Sequence, residues 1–157
     1  MEGPTDRARP EQRSEIFARH AEREGPLLPI LHDLQAAFGF ISDQDVASVA
    51  AALNLSRAEV HGVVTFYHDF RREPAGRRVV KLCQAEACQA RGARAVTAAA
   101  EALFHTPLGA TSPDGQLTLE PVYCLGLCAS GPAALVDGWP VGRLTRDTLA
   151  KLLPEPA

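Results

Sequence analysis

Apolar side chains recur at helical spacing through the first half of the chain. In residues 27–38 they stand three or four positions apart, and the same spacing returns in residues 46–64. The helix boundaries that the sequence marks are a helix end at Gly39 and two capping boxes, Ser42 with Asp45 and Ser56 with Glu59. Residues 11–67 are therefore predicted to form three or four short helices packed as a bundle.

The periodicity changes after residue 76. Alternating or continuous apolar runs predict strands, and an Ala-rich segment with helical spacing predicts a helix between the first two of them. Asp137-Gly138 between two apolar runs indicates a hairpin, and Thr145 is a suitable cap for a last helix that ends before Pro154. The predicted elements are strand 78–82, helix 92–104, strand 117–123, strand 133–136, strand 139–141 and a final helix. This order predicts a small α/β domain.

Three segments of different composition follow from these patterns. Residues 1–10 mix Gly, Pro and charges of both signs without apolar periodicity, so we expect them to be disordered. Residues 11–76 form the helical bundle and end in a polar linker that contains Pro74 and Gly76. Residues 77–157 form the α/β domain.

Composition and charge narrow the function classes. The chain has 157 residues, 46% of them hydrophobic, a net charge of −3 and a pI near 5.9, which does not favour binding to the phosphates of nucleic acid. No apolar run approaches the roughly 20 residues that cross a bilayer, and the N-terminus lacks the apolar segment of a secretory signal. We expect a soluble cytoplasmic protein with no direct membrane insertion.

The four cysteines are the candidate chemistry. Cys83 and Cys88 are separated by four residues, Cys124 and Cys128 by three, and 35 residues lie between the pairs. Each pair follows a predicted strand, at a position where binding residues commonly lie on a rigid scaffold. Folding is therefore expected to bring two half-sites together into one four-thiolate centre.

Three interpretations of these thiols are open. Four thiolates commonly hold a [2Fe–2S] cluster, and four cysteines also hold structural zinc, although zinc more often uses pairs separated by two residues. Disulfides need an oxidising compartment, for which the N-terminus gives no indication. The spacing favours the cluster.

Groups near the cysteines are candidates for tuning such a centre. Cys88 is expected to stand just before the helix of residues 92–104, whose N-terminal amides would point at the sulfurs. Arg91 and Arg94 fall in the same turn. Arginine at such a position is most often a solvated surface residue; the alternative is a positive charge that raises the reduction potential of the cluster.

Several motifs together resemble a known family. They are residues 62–70 (GVVTFYHDF), the Pro-Ala-Gly turn at residues 74–76, the spacing of the four cysteines, and the loop CLGLC at residues 124–128 followed by Pro132. This set resembles the thioredoxin-like [2Fe–2S] ferredoxin family, which includes the 24-kDa-type subunit of complex I, over roughly residues 11–153. Within the family, residues 83–90 and 119–128 are most similar to the gamma subunit of NAD-dependent formate dehydrogenase.

The resemblance implies a helical N-terminal bundle followed by a thioredoxin-like domain. It implies that Cys83, Cys88, Cys124 and Cys128 bind one [2Fe–2S] cluster and that this chain contributes no catalytic residue. The expected partners are a flavoprotein subunit that carries FMN and the NAD site, and a formate dehydrogenase catalytic subunit with molybdenum or tungsten. The alternatives are the equivalent subunit of complex I or of an NAD-linked hydrogenase, and a zinc-stapled interaction module without a redox role.

The chain itself is not expected to bind NAD. A dinucleotide site requires G-x-G-x-x-G after a strand, and this pattern does not occur. The chain is therefore predicted to be a non-catalytic electron-transfer subunit of an NAD-dependent oxidoreductase.

Overall fold

A computed structural model describes the backbone of residues 9–152 and the side chains of residues 9–151. The contacts divide the chain into two compact units, one up to Pro74 and the other from Ala75. The disorder predicted for residues 1–10 falls mostly on residues 1–8, which lie outside the described part. Arg9 and Pro10 form the start of the first helix.

Four helices make up the described part of the first unit. They are α1 (Arg9–Arg19), α2 (Leu27–Phe38), α3 (Asp43–Leu53) and α4 (Arg57–Phe66). α2 ends at Gly39 with a φ of 83°, and both predicted capping boxes form, at Ser42 with Asp45 and at Ser56 with Glu59. Their buried core consists of apolar residues at helical spacing, among them Ile30, Leu31, Leu34, Val49, Val60 and Val64.

A buried ion pair joins α1 to α3, and nothing in the sequence pattern predicts it. The side chain of Asp45 is fully buried and accepts hydrogen bonds from Arg13 Nε at 3.0 Å and Nη2 at 2.7 Å. The other carboxylate oxygen of Asp45 accepts from the amide and the hydroxyl of Ser42. One carboxylate therefore caps α3 and anchors α1.

The described part of the second unit contains a five-stranded sheet and three α-helices. The strands are β1 (Arg78–Cys83), β2 (Ala110–Thr111), β3 (Leu117–Val122), β4 (Ala134–Val136) and β5 (Trp139–Val141), and the helices are α5 (Glu86–Ala90), α6 (Ala93–Phe104) and α7 (Arg146–Leu152). Strand order is β2-β3-β1-β4-β5; β1 and β3 are parallel and the other pairs antiparallel. The predicted fold class, α/β with N-terminal helices, is confirmed. The two-residue β2 and the separate helix α5 are additions that the sequence pattern does not predict.

The register of the sheet positions the cysteine-bearing loops. Alternate residues of β1, Val80 and Leu82, are buried in a core cluster together with Ala100 of α6 and Leu149 of α7. Cys83 at the end of β1 lies opposite Val122 at the end of β3. The chain therefore leaves both parallel strands at the same edge of the sheet.

β4 begins at this edge as well, with Ala134 opposite Leu82. The connection from β3 to β4 therefore starts and ends beside the end of β1. Within residues 9–152, no helix combines the length and the apolar character that crossing a membrane requires.

Candidate metal centre

The first cysteine pair is buried. Cys83 ends β1 and Cys88 lies within α5, with 3% and 2% of their surfaces exposed. Their sulfur atoms are in hydrogen-bond contact. The sequence pattern places Cys88 just before the helix of residues 92–104. In the structure Cys88 lies inside the short helix α5, and Gly92, with a φ of 95°, separates α5 from α6.

The second pair lies in the exposed loop after β3. Cys124 has a φ of 79°, and Cys128 begins a 3₁₀ turn that extends to Ser130. Both side chains are exposed, and all four cysteines are free thiols. The candidate site therefore has one buried cysteine pair and one pair that faces outward.

Backbone amides of the second loop reach the first pair. The N–H groups of Cys124 and Leu125 donate to Cys83 Sγ, as does the N–H of Ala85 at the start of α5. The N–H of Ala133 donates to Cys88 Sγ. The two half-sites, remote in sequence, thus meet at one edge of the sheet.

These contacts set the acidity of the buried thiols. Burial, the largest influence, raises the pKa of Cys83, but the N–H donors and the Cys88 thiol outweigh it, so this pKa is below its ordinary 9.0. Burial raises the pKa of Cys88 above 9.0, and the hydrogen bond with Cys83 and the charges of Cys83 and Cys128 add to that rise. Cys83 is therefore the thiol of this buried pair that ionises first, and a thiolate is the form that ligates a metal.

A glycine leaves the space beside Cys88 open. A Cβ on Gly131 would lie 3.3 Å from Cys88 Sγ, 3.2 Å from Arg91 Cδ and 3.4 Å from Cys128 O. Any larger residue would press on both half-sites at once. Four sulfur donors with amide N–H groups aimed at two of them fit an iron–sulfur cluster, whose negative charge such donors stabilise.

The described side chains do not form a complete set of metal ligands. In residues 9–152, no three His, Cys, Asp or Glu side chains form a group that could hold one. The assignment of all four cysteines as ligands remains a prediction, supported by their shared edge and their donor chemistry.

A polar network fixes the loop between Cys83 and Cys88. Gln84 Nε2 donates to Thr97 Oγ1 of α6 at 3.0 Å and to Leu82 O at 3.3 Å, while Gln89 Nε2 donates to Gln84 O at 2.7 Å. Arg94 Nε donates to Gln89 Oε1 at 3.0 Å. The sequence pattern does not identify these glutamines, because only folding brings Thr97 under the loop.

The two arginines near Cys88 have different partners. Arg91 follows α5, and its Nε donates to Gly131 O at 2.9 Å, in the connection from β3 to β4. Arg94, in the first turn of α6, bonds only within the first half-site among the hydrogen bonds found for the described residues. Arg91 is thus the one that bridges the two half-sites.

Fold and site together define a class: an α/β domain with paired cysteines at one edge of its sheet, preceded by a helical unit. The comparison with known families gives the particular assignment. This chain belongs to the thioredoxin-like [2Fe–2S] ferredoxin family, which matches residues 13–156. Its cofactor is accordingly a [2Fe–2S] cluster.

Two relatives are about one-third identical to this chain over the residues that align with it. The NADP-reducing hydrogenase subunit HndA of Solidesulfovibrio fructosivorans is 31% identical over 134 residues, covering 85% of this chain and 78% of that protein. A subunit of the NADH-quinone oxidoreductase of Escherichia coli K12 is 33% identical over 120 residues, covering 76% of this chain and 72% of that protein.

A solved structure has the same fold. It is an NAD+-reducing [NiFe]-hydrogenase in the H2-reduced state, with a TM-score of 0.69 and 27% identity over 80% of this chain. This chain corresponds to 22% of that much longer polypeptide. The similarity therefore concerns one part of the hydrogenase chain.

Proposed function

We propose that this chain is the electron-transfer subunit of an NAD(P)-linked oxidoreductase and holds its cluster on Cys83, Cys88, Cys124 and Cys128. The observation that carries the proposal is the meeting of both cysteine pairs at one sheet edge, with N–H groups from both loops directed at Cys83 Sγ. When bound, a [2Fe–2S] cluster accepts and donates one electron at a time.

The residues of this chain stabilise the charge that such a centre carries. N–H groups of Ala85, Cys124 and Leu125 donate to Cys83 Sγ, and the N–H of Ala133 donates to Cys88 Sγ. Donors of this kind favour the more negative, reduced state. Burial of the first pair keeps water from one side, while the exposed second pair leaves the other side accessible for electron exchange with a partner.

The partner is proposed to be a flavoprotein subunit with FMN and the NAD site. The relatives support an NAD(P)-linked assembly, because their names describe subunits of an NADP-reducing hydrogenase and of an NADH-quinone oxidoreductase. Single electrons pass between the flavin and the cluster in this proposal, and this chain contributes no catalytic residue.

The finer proposal is a soluble NAD-dependent formate dehydrogenase, which converts formate and NAD+ to CO2 and NADH. Its support is the similarity of residues 83–90 and 119–128 to the gamma subunit of that enzyme. A catalytic subunit with molybdenum or tungsten would then complete the assembly. The equivalent subunit of complex I or of an NAD-linked hydrogenase is the alternative that the relatives favour.

Affinity purification of the chain from its native cells, followed by mass spectrometry and metal analysis, tests these proposals. A co-purifying flavoprotein is expected. A molybdenum or tungsten protein beside it supports formate dehydrogenase, nickel supports a hydrogenase, and membrane subunits support complex I. Purification of the cluster-loaded chain without any flavoprotein would contradict the assignment to an NAD(P)-linked assembly.

The helical unit is proposed to contribute to docking. Phe66 and Tyr67 at the end of α4 are 72% and 44% exposed, and the centroids of their rings lie 5.1 Å apart in an edge-to-face arrangement. Exposed aromatic side chains are enriched where proteins bind partners. Phe66→Ser is expected to reduce flavoprotein co-purification and to keep the cluster, whereas His68→Ser, at an exposed polar position in the same segment, is expected to change neither. Equal recovery of the flavoprotein with both variants would refute the docking role.

A further inference from the structure

One side chain joins the two cysteine half-sites through hydrogen bonds. The N–H of Arg91 donates to Cys88 O at 3.1 Å, and its side-chain Nε donates to Gly131 O at 2.9 Å. The N–H of Gly131 in turn donates to Cys128 O at 3.2 Å. A continuous series of hydrogen bonds thus runs from Cys88 through Arg91 and Gly131 to Cys128.

The packing at Gly131 strengthens this connection. A Cβ there would meet Arg91 Cδ at 3.2 Å and Cys88 Sγ at 3.3 Å, so the stem of Arg91 and the sulfur of Cys88 both lie against the same glycine. The carbonyl that Arg91 binds therefore belongs to the residue that ends the turn of Cys128 and packs against Cys88. A shift of this carbonyl moves the turn that begins at Cys128.

We propose that Arg91 is a positioning residue that holds Cys128 at the distance from Cys88 that the [2Fe–2S] cluster requires. This inference rests on the proposed ligand set. The sulfurs of Cys83 and Cys88 are fixed by burial and by the network around Gln84, whereas the exposed turn of Cys128 lacks such cover. Two hydrogen bonds from outside the second cysteine loop reach the turn of Cys128, from Arg143 N to Ser130 O and from Arg91 Nε to Gly131 O, and that of Arg91 comes from the first half-site.

The hydrogen bond and the charge of Arg91 are separable by substitution. Gln places its Nε2 the same number of bonds from the backbone as the Nε of Arg, so Arg91→Gln keeps a donor for Gly131 O and removes the charge. Lys has a methylene group at that position and its ammonium one atom farther, so Arg91→Lys keeps the charge but has no donor at the position of Nε. Positioning predicts that the Gln variant resembles the natural chain and the Lys variant does not.

Arg77 offers a matched control. It is an exposed arginine just before β1, at the opposite end of that strand from Cys83. Arg77→Lys makes the same chemical change without touching Gly131 or either cysteine loop. A difference in cluster release between the two Lys variants therefore measures the effect of the hydrogen bond from Arg91 Nε to Gly131 O.

The experiment uses the full chain, reconstituted without oxygen, and follows loss of the visible absorbance of the cluster after addition of an iron chelator. Loss of one hydrogen bond from a charged donor predicts release about tenfold faster for Arg91→Lys, and rates within about twofold of the natural chain for Arg91→Gln and Arg77→Lys. The EPR spectrum of the reduced cluster should change in Arg91→Lys only, which a general loss of fold stability would not produce.

Two results would overturn the positioning role. One is release from Arg91→Lys at the natural rate, and the other is release from Arg91→Gln as fast as from Arg91→Lys. Failure of the proposed function gives a different signature, because the natural chain would then take up no iron or sulfide before any substitution, and the positioning role would fall with it.

Discussion

The close contact between Gly142 and Ser130 gives a sharp prediction about the loop that carries Cys128. Gly142 follows β5, and Ser130 ends the turn that begins at Cys128. A Cβ on Gly142 would lie 2.7 Å from Ser130 Cβ and 2.8 Å from Ser130 O. Because one of these atoms is a backbone oxygen, a rotation of the Ser130 side chain does not relieve the clash.

The cost of Gly142→Ala follows from this geometry. The Cβ–Cβ separation is about 0.7 Å or more below van der Waals contact, so the two segments must move apart, and overpacking of this kind costs about 1–3 kcal/mol. The same movement lengthens the hydrogen bond from Arg143 N to Ser130 O, now 2.5 Å. Weakening that bond adds up to about 1 kcal/mol. We expect the second unit to lose about 3 kcal/mol of stability.

Native-state hydrogen exchange measures this loss within one unit. The N–H groups of Cys83 and Leu144, bonded to Ala133 O and Pro132 O, report on the second unit. A loss of about 3 kcal/mol accelerates their exchange by roughly a hundredfold where exchange requires global unfolding of that unit. Amides of α3, in the first unit, serve as the internal reference.

Gly62→Ala is the matched control. Gly62 lies inside α4, and an added Cβ there would meet nothing within 4 Å. Alanine stabilises a helix interior relative to glycine by about 0.5–1 kcal/mol, so exchange in α4 should become slower. Unchanged exchange at Cys83 and Leu144 in Gly142→Ala would refute the contact on which the prediction rests.

Three further predictions concern the first unit and the cluster. Asp45→Ala leaves the buried guanidinium of Arg13 unpaired and should destabilise the first unit by about 3–5 kcal/mol. Urea titration followed by the circular dichroism of the helices measures this loss. Asp43→Ala, at an exposed carboxylate, is the control and should cost less than about 1 kcal/mol. The amide and hydroxyl of Ser56 lower the pKa of Glu59 below its ordinary 4.5. The stability that this carboxylate contributes is therefore present above pH 4.5 and is lost as the pH falls through the lowered pKa. Glu59→Gln should flatten that part of the profile of stability against pH, and an unchanged profile would contradict the capping role. Cys124→Ser should lose or severely weaken the cluster, because a harder oxygen ligand replaces a thiolate, and an unaltered visible spectrum would count against Cys124 as a ligand.

Local features of the fold are predictable from the sequence. The capping boxes at Ser42 and Ser56 need only residues three positions apart, and the Asp137-Gly138 turn needs only its two flanking strands. The common edge for the cysteine pairs also follows, because each pair comes after a predicted strand and the ends of parallel strands meet. These features depend on short stretches of chain.

Features that depend on tertiary structure are not predictable in this way. Arg13 and Asp45 are 32 residues apart, and Arg91 and Gly131 are 40 apart, so no local pattern links either pair. The short helix α5 is not predicted either, because its five residues are too few to show helical periodicity. For that reason the sequence pattern places Cys88 before a helix, whereas the structure places it inside one.

Counting iron and acid-labile sulfide in the purified, anaerobically reconstituted chain tests the central claim most directly. The chain has no cysteine besides these four, so each Cys→Ser variant leaves a set of three. The account predicts about two iron and about two sulfide per natural chain, with an EPR signal that appears on one-electron reduction, and a loss of iron in each variant. A colourless protein that contains one zinc and no sulfide would contradict it.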